Sequence, residues 1–195
     1  MDHYAVLCVG TLMLGAFLSI ACWSDFETRR IPNTLITSGV LLGLLLQIAL
    51  PRGNGLFTTS PGGLGGIAAL YGCAVGIATM LPLYVISAMG AGDVKMMGMV
   101  GIFLGPAATI DVVVITLVAG GVLSVAVAIW TGVLKTVVCN VRQALLQSVV
   151  SVIWMRRGYM HVDTVAGITL PYAFAISAGT LIQILLARSG YTLFA

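Results

Sequence analysis

Leu41-Leu42-Gly43-Leu44-Leu45-Leu46 lies at the centre of a stretch, residues 31–51, that contains no Asp, Glu, Lys or Arg. A strand crossing a bilayer within a β-barrel must alternate polar and apolar side chains, and this run does not alternate. The α-helix is the other structure that satisfies its own backbone hydrogen bonds in hydrocarbon. The stretch therefore reads as a membrane helix, and the fold class as all-α.

The same pattern extends along the chain. Residues 3–24, 53–92, 96–110, 112–134 and 164–187 are equally free of charge, and most exceed the ~20 residues needed to cross a bilayer. In 195 residues there are nine Lys or Arg and six Asp or Glu, or 8% charged, against ~25% for an ordinary soluble protein. The apolar share is 59% and the mean hydropathy is +1.10. This composition excludes a soluble enzyme, a disordered tail and a nucleic-acid binder, since the net charge of +3 comes from scattered residues. It predicts a polytopic protein of the lipid bilayer with one domain over residues 1–195.

Six transmembrane helices are expected, near 4–23, 34–50, 64–86, 95–110, 112–131 and 165–187. The fourth, about 16 residues at 1.5 Å each, is short for the ~30 Å hydrocarbon core and is expected among other helices or at a wet cavity. Small residues at Gly62, Gly63, Gly65, Gly66, Gly72 and Gly76 would let the third span approach its neighbours closely. Residues 51–62 read as an exposed connection. A helix near 136–157, uncharged from Val141 to Met155 except at Arg142, reads as amphipathic and lying on the inner leaflet, or else as a buried re-entrant helix.

Under six spans, Arg29, Arg30, Lys95, Lys135, Arg142, Arg156 and Arg157 share one side, and only Arg52 and Arg188 the other. The positive-inside rule places the seven in the cytoplasm and both termini in the periplasm of a bacterial inner membrane. The first span is expected to be retained. Its leading Met1-Asp2-His3 has no Lys or Arg, and Ser19 stands where a lipoprotein cleavage box before Cys22 needs a large aliphatic residue. Cys8, Cys22, Cys73 and Cys139 form no CxxC pair, and His3 and His161 have no partner at ligand spacing, so no metal or cofactor is expected.

Charge at membrane depth costs at least ~2.5–3.5 kcal/mol on insertion scales, so a retained carboxylate there points to chemistry. Asp25 closes the first expected span, and Asp93 sits in Gly90-Ala91-Gly92-Asp93-Val94-Lys95. Two spans lie between them, which puts both on the cytoplasmic face. Paired carboxylates share one proton and titrate as a unit, the arrangement by which aspartic proteases activate water. Gly90 and Gly92, lacking Cβ atoms, would allow a bend that aims Asp93. The bland alternatives are an Asp25–Arg29 pair at i+4, and an Asp93 that pairs with Lys95 or caps the fourth helix. Glu27 is the competing carboxylate. Asp111 reads as a turn between spans four and five, and Asp163 as a helix start.

These residues resemble a known family. Gly90-Ala91-Gly92-Asp93 is similar to the GxGD motif of the prepilin peptidases, the type IV leader peptidases. Asp25 followed by Arg30-Ile31-Pro32-Asn33 resembles that family's other catalytic segment. Pro171-Tyr172-Ala173-Phe174-Ala175-Ile176 resembles its last helix, with Ala173 where Gly is usual. The resemblance implies a membrane aspartic endopeptidase with Asp25 and Asp93 as catalytic residues. Gly90, Gly92, Lys95, Arg30, Pro32, Asn33, Pro171 and Tyr172 would support the site. The implied partners are prepilin and pseudopilin precursors, cut after a Gly just before the hydrophobic segment.

With no room for a CxxC methyltransferase domain, the chain resembles the short, peptidase-only branch of Tad/Flp pili. Lys95 either favours an ionised carboxylate, meets an acidic prepilin residue, or simply anchors the chain at the membrane face. Met96, Met97 and Met99 either line an adaptable surface for a leader helix or pack ordinarily. An ion- or proton-coupled transporter and a non-catalytic membrane subunit are the other function classes. The first would place its acids at the midplane of repeated halves, and the second would tolerate neutralisation of both aspartates.

Overall fold

The computed structural model describes residues 3–58, 60–85, 89–130, 132 and 172–191. They form six helices: α1 His3–Thr28, α2 Asn33–Ala49, α3 Gly66–Val85, α4 Ala91–Leu104, α5 Pro106–Trp130 and α6 Tyr172–Arg188. The expected helix near 136–157, Pro171, Asp163 and the start of the sixth expected span lie outside the described residues. Among the described residues, three helices are long and apolar enough to cross a membrane: α1 from Leu7 to Thr28, α3, and α5. Helices α2 and α6 are apolar but have 17 residues each, and α4 has 14.

The centre of the bundle is α4, the shortest helix. Ten of its fourteen residues, Val94 and Met96–Leu104, are buried. Met96, Met97 and Met99 are among them, so they are packing residues in this fold. Glycines on two neighbours make room for α4. A Cβ at Gly72 or Gly76 of α3 would collide with the α4 backbone at Gly101 or Met97, and Gly39 and Gly43 of α2 admit the side chains of Met99 and Phe103. Helices that approach this closely gain dispersion contacts along backbone as well as side chains. Of the glycines expected to permit close approach, Gly72 and Gly76 do so against α4, while Gly62 does so against the backbone at Gly53 in the preceding connection and Gly63 against the Gln47 carbonyl at the end of α2.

The division between the fourth and fifth helices is not at Asp111. It falls at Gly105, whose φ of +81° is left-handed backbone suited to a residue without Cβ, and Pro106 then opens α5 with the φ a first turn requires. Asp111 is therefore no turn residue. It lies inside α5, 2% exposed, and its Oδ2 accepts a hydrogen bond of 2.9 Å from Gln183 Nε2 on α6. Along the same seam, Gly179 gives way to Thr116 and Gly120 to Tyr172.

Helix α1 also runs further than expected, through Asp25 to Thr28, and stops where Arg29 turns to φ +54°. Nor is the 51–62 connection wholly exposed. Leu56 and Phe57 are buried, and Gly10 of α1 faces them. Behind them Gln47, 1% exposed, ties three parts of the chain together. Its Nε2 donates to the carbonyls of Ile102 and Phe103 at 3.0 Å each, and its Oε1 accepts the Leu64 amide at 2.8 Å. Those bonds satisfy the amide that burial strips of water.

Candidate active site

At the end of the bundle away from Gln47, the last turn of α1, the link to α2 and the first turn of α4 surround a cleft of about 380 Å³. Asp25, Arg29, Arg30, Ile31, Asn33, Gly90, Ala91, Gly92, Asp93 and Lys95 line it. Seven residues singled out from the sequence thus meet in one place: Asp25, Arg30, Asn33, Gly90, Gly92, Asp93 and Lys95. Pro32 and Tyr172 are not among the lining residues. Pro32 is the N-cap of α2, extended at φ −65° and ψ 132°, and Tyr172 packs against Gly120.

Each wall has a local cause. The α1–α2 link is held by hydroxyls, since Ser24 Oγ and Thr28 Oγ1 both donate to the Arg30 carbonyl, at 2.9 and 3.1 Å. That pins Arg30 and Ile31 at the cleft edge. Lys95 Nζ donates to Asn33 Oδ1 at 2.9 Å, which links α4 to the start of α2. Asp25 is 8% exposed, and its Oδ2 accepts the Ala173 amide of α6 at 3.4 Å. Glu27, two residues on, is exposed and lies outside the cleft. A step of two residues turns a helix by about 200°, so the two carboxylates leave α1 in opposite directions.

Asp93 is not aimed by a bend. It occupies the third position of a regular helix, where its Oδ2 accepts the Gly90 amide at 3.2 Å. A carboxylate there satisfies an amide that has no partner within the helix, and it sits at the positive end of the helix dipole. Gly90 has φ −79° and ψ 154°, open to any residue, so conformational freedom is not its role. What it lacks is bulk: a Cβ on Gly90 would lie 3.4 Å from Asp93 Oδ2. Capping the fourth helix and facing the cleft are therefore compatible roles for one side chain.

Asp93 stands at the polar end of α4, ahead of that helix's apolar stretch. Burial pushes its carboxyl up to about 6; the Gly90 amide opposes this, and the nearby charge of Asp25 adds to it. Near that pH the group is divided between donor and acceptor forms. A cleft holding one such carboxyl beside a second can both donate and accept a proton. Sequence reasoning did not single out Ile31, Ala91 or the Ala173 amide. The first two lie within the quoted motifs, whereas a backbone amide leaves no mark on composition.

No curated protein and no solved structure matches the chain. The family model of the type IV leader peptidase family matches residues 12–125. Because that stretch takes in more than half of the sequence and every residue that lines the cleft, the chain belongs to the type IV leader peptidase family.

Proposed function

We propose that the protein is a membrane-embedded aspartic endopeptidase that removes the leader of Flp-type prepilins and pseudopilins, cutting after Gly at the cytoplasmic face of a bacterial inner membrane. The observation that carries this reading is the meeting of Asp25 and Asp93 in one cleft at one end of the bundle. In this reading the described helices belong to six spans, both termini are periplasmic, and the site lies on the side that holds Arg29, Arg30 and Lys95. Residues 1–195 act as one peptidase domain.

The chemistry follows from two carboxyls that share a proton. Asp93, the member whose burial favours the protonated form, donates to the scissile carbonyl oxygen. Asp25, held by the Ala173 amide, takes a proton from water as its oxygen bonds to the carbonyl carbon. The tetrahedral species then collapses. The C–N bond breaks, Asp25 returns its proton to the departing nitrogen, and Asp93 recovers one from the hydroxyl. Water is the co-reactant.

The test is prepilin cleavage in membranes carrying wild type, Asp25→Asn, Asp93→Asn or Glu27→Gln at equal expression. Loss of the shortened product in both Asn variants, with Glu27→Gln active, is the expected result. Cleavage by both Asn variants would overturn the assignment, and loss in Glu27→Gln alone would move the pair to Glu27.

A further inference from the structure

A second depression, of about 210 Å³, lies between α1 and α6 and is lined by Gly15, Leu18, Ser19, Cys22, Ser177 and Leu181. Both of its walls lead to Asp25. On α1, Leu18, Cys22 and Asp25 recur at i, i+4 and i+7, which is one helix face. On α6, Ala173, Ser177 and Leu181 follow at i, i+4 and i+8, and the Ala173 amide is the one that Asp25 accepts.

The polar atoms of the groove are turned on each other. Cys22 Sγ lies 3.0 Å from Ser177 Oγ and 3.5 Å from the Ala173 carbonyl, so the surface left over is mainly hydrocarbon. The groove opens sideways, with Ser19 exposed and Leu181 at 53% exposure. It also has unfilled space, since a Cβ on Gly15 would meet nothing within 4 Å.

We infer that this groove seats the first turns of the substrate's own apolar membrane segment, immediately after the bond that is cut, with one large side chain as the anchor. The inference rests on the leader-peptidase reading. The occupant must be apolar, must run alongside membrane-length α1, and must end at Asp25. A lipid tail meets the first two conditions but brings no peptide bond to the carboxylate. The groove thus sets which residue follows the cut, while the cleft performs it.

The experiment compares wild type, Gly15→Phe and Gly121→Phe on a prepilin that wild-type membranes cleave, over a range of substrate concentration. Gly15→Phe fills the groove from a position with space to accept it. Gly121, on α5, also has nothing within 4 Å and serves as the control. The expected result is a KM raised about tenfold or more in Gly15→Phe, the worth of one buried side chain, with Gly121→Phe like wild type.

A second arm uses Asp93→Asn enzyme with Cys22 as its sole cysteine and single cysteines placed along the first two turns after the cleavage point. With an added thiol oxidant such as diamide, disulfides should form at one or two positions on one face of the segment. An unchanged KM in Gly15→Phe together with no disulfide at any position would overturn the inference and leave the groove to lipid. Failure of wild type to cut any prepilin would instead overturn the leader-peptidase reading itself.

Discussion

The two ends of the bundle hold their carboxylates in opposite ways. At one end Asp25 and Asp93 face a cleft of about 380 Å³, each restrained by a backbone amide. At the other, Asp111 is sealed between α5 and α6 against Gln183. Both arrangements are costly in an apolar chain. The open pair retains lone pairs for a reacting molecule, whereas the Asp111 side chain is 2% exposed and enclosed by its own helices. Burial alone does not single out a candidate acid for chemistry; burial beside a second acid and an opening does.

The widest separation between the two ends should appear in turnover. Removing a general acid or base costs about 10²–10⁴-fold, so Asp25→Asn and Asp93→Asn should fall at least that far. Asp111→Asn, which keeps an oxygen for Gln183 Nε2, should cleave like wild type. An inactive but folded Asp111→Asn would erase the distinction.

Next in size is stability. Asp93 is raised from 3.8 to about 6 in the folded chain, so the folded state binds the extra proton between those values. Stability is therefore full below pH ~4 and declines as pH rises through about 6, by on the order of 2–3 kcal/mol. Asp93→Asn lacks this proton and should gain on wild type over that window. Apparent melting temperatures in detergent at pH 4.5 and 7 should show the gap opening at the higher pH. A gap that closes would contradict the environment assigned to Asp93.

Asp111→Ala should act in the other direction, by about 1–3 kcal/mol, because it leaves the buried Gln183 Nε2 without its acceptor. Chemical unfolding of Asp111→Ala and of the double variant with Gln183→Leu measures this. The double variant should recover part of the loss. If it is no better than the single one, the pair is not the coupled unit the geometry indicates.

The smallest effects belong to the glycines beside Asp93. At Gly92 a Cβ would meet Ile31 at an ordinary 3.5 Å within a helix, so Gly92→Ala should stabilise by roughly 0.5–1 kcal/mol. Gly90→Ala puts its methyl against the Asp93 carboxylate and should slow cleavage several-fold with little change in melting temperature. Equal behaviour of the two would mean that bulk at the cleft mouth is immaterial.

Much of this was legible in the sequence, because charge is scarce enough for its intervals to outline helices. The same habit of reading charge as a boundary misplaced the break at Asp111, although Gly105-Pro106 carries the local stop and start signal. Uncharged polar residues were the other blind spot. Gln47 and Gln183 lie within apolar runs, and nothing in the linear order shows that one reaches two carbonyls and an amide while the other reaches Asp111. Gly90 of the Gly90-Ala91-Gly92-Asp93 motif was legible as a cleft residue but for a different reason, since absence of bulk beside Asp93 and not backbone freedom is what the geometry uses, while Gly92 has ordinary room for a Cβ.

The glycine contacts of α3 with α4 have a consequence for how the cleft is held. Where Gly72 meets Gly101 the two backbones touch with no side chain between them, so the position of α4, and with it Asp93, is set directly by the α3 backbone. Asp25 takes its position from α6 instead, through the Ala173 amide and the Cys22–Ser177 contact. The two carboxylates of one cleft are thus anchored to different neighbours, one by backbone packing and the other by hydrogen bonds.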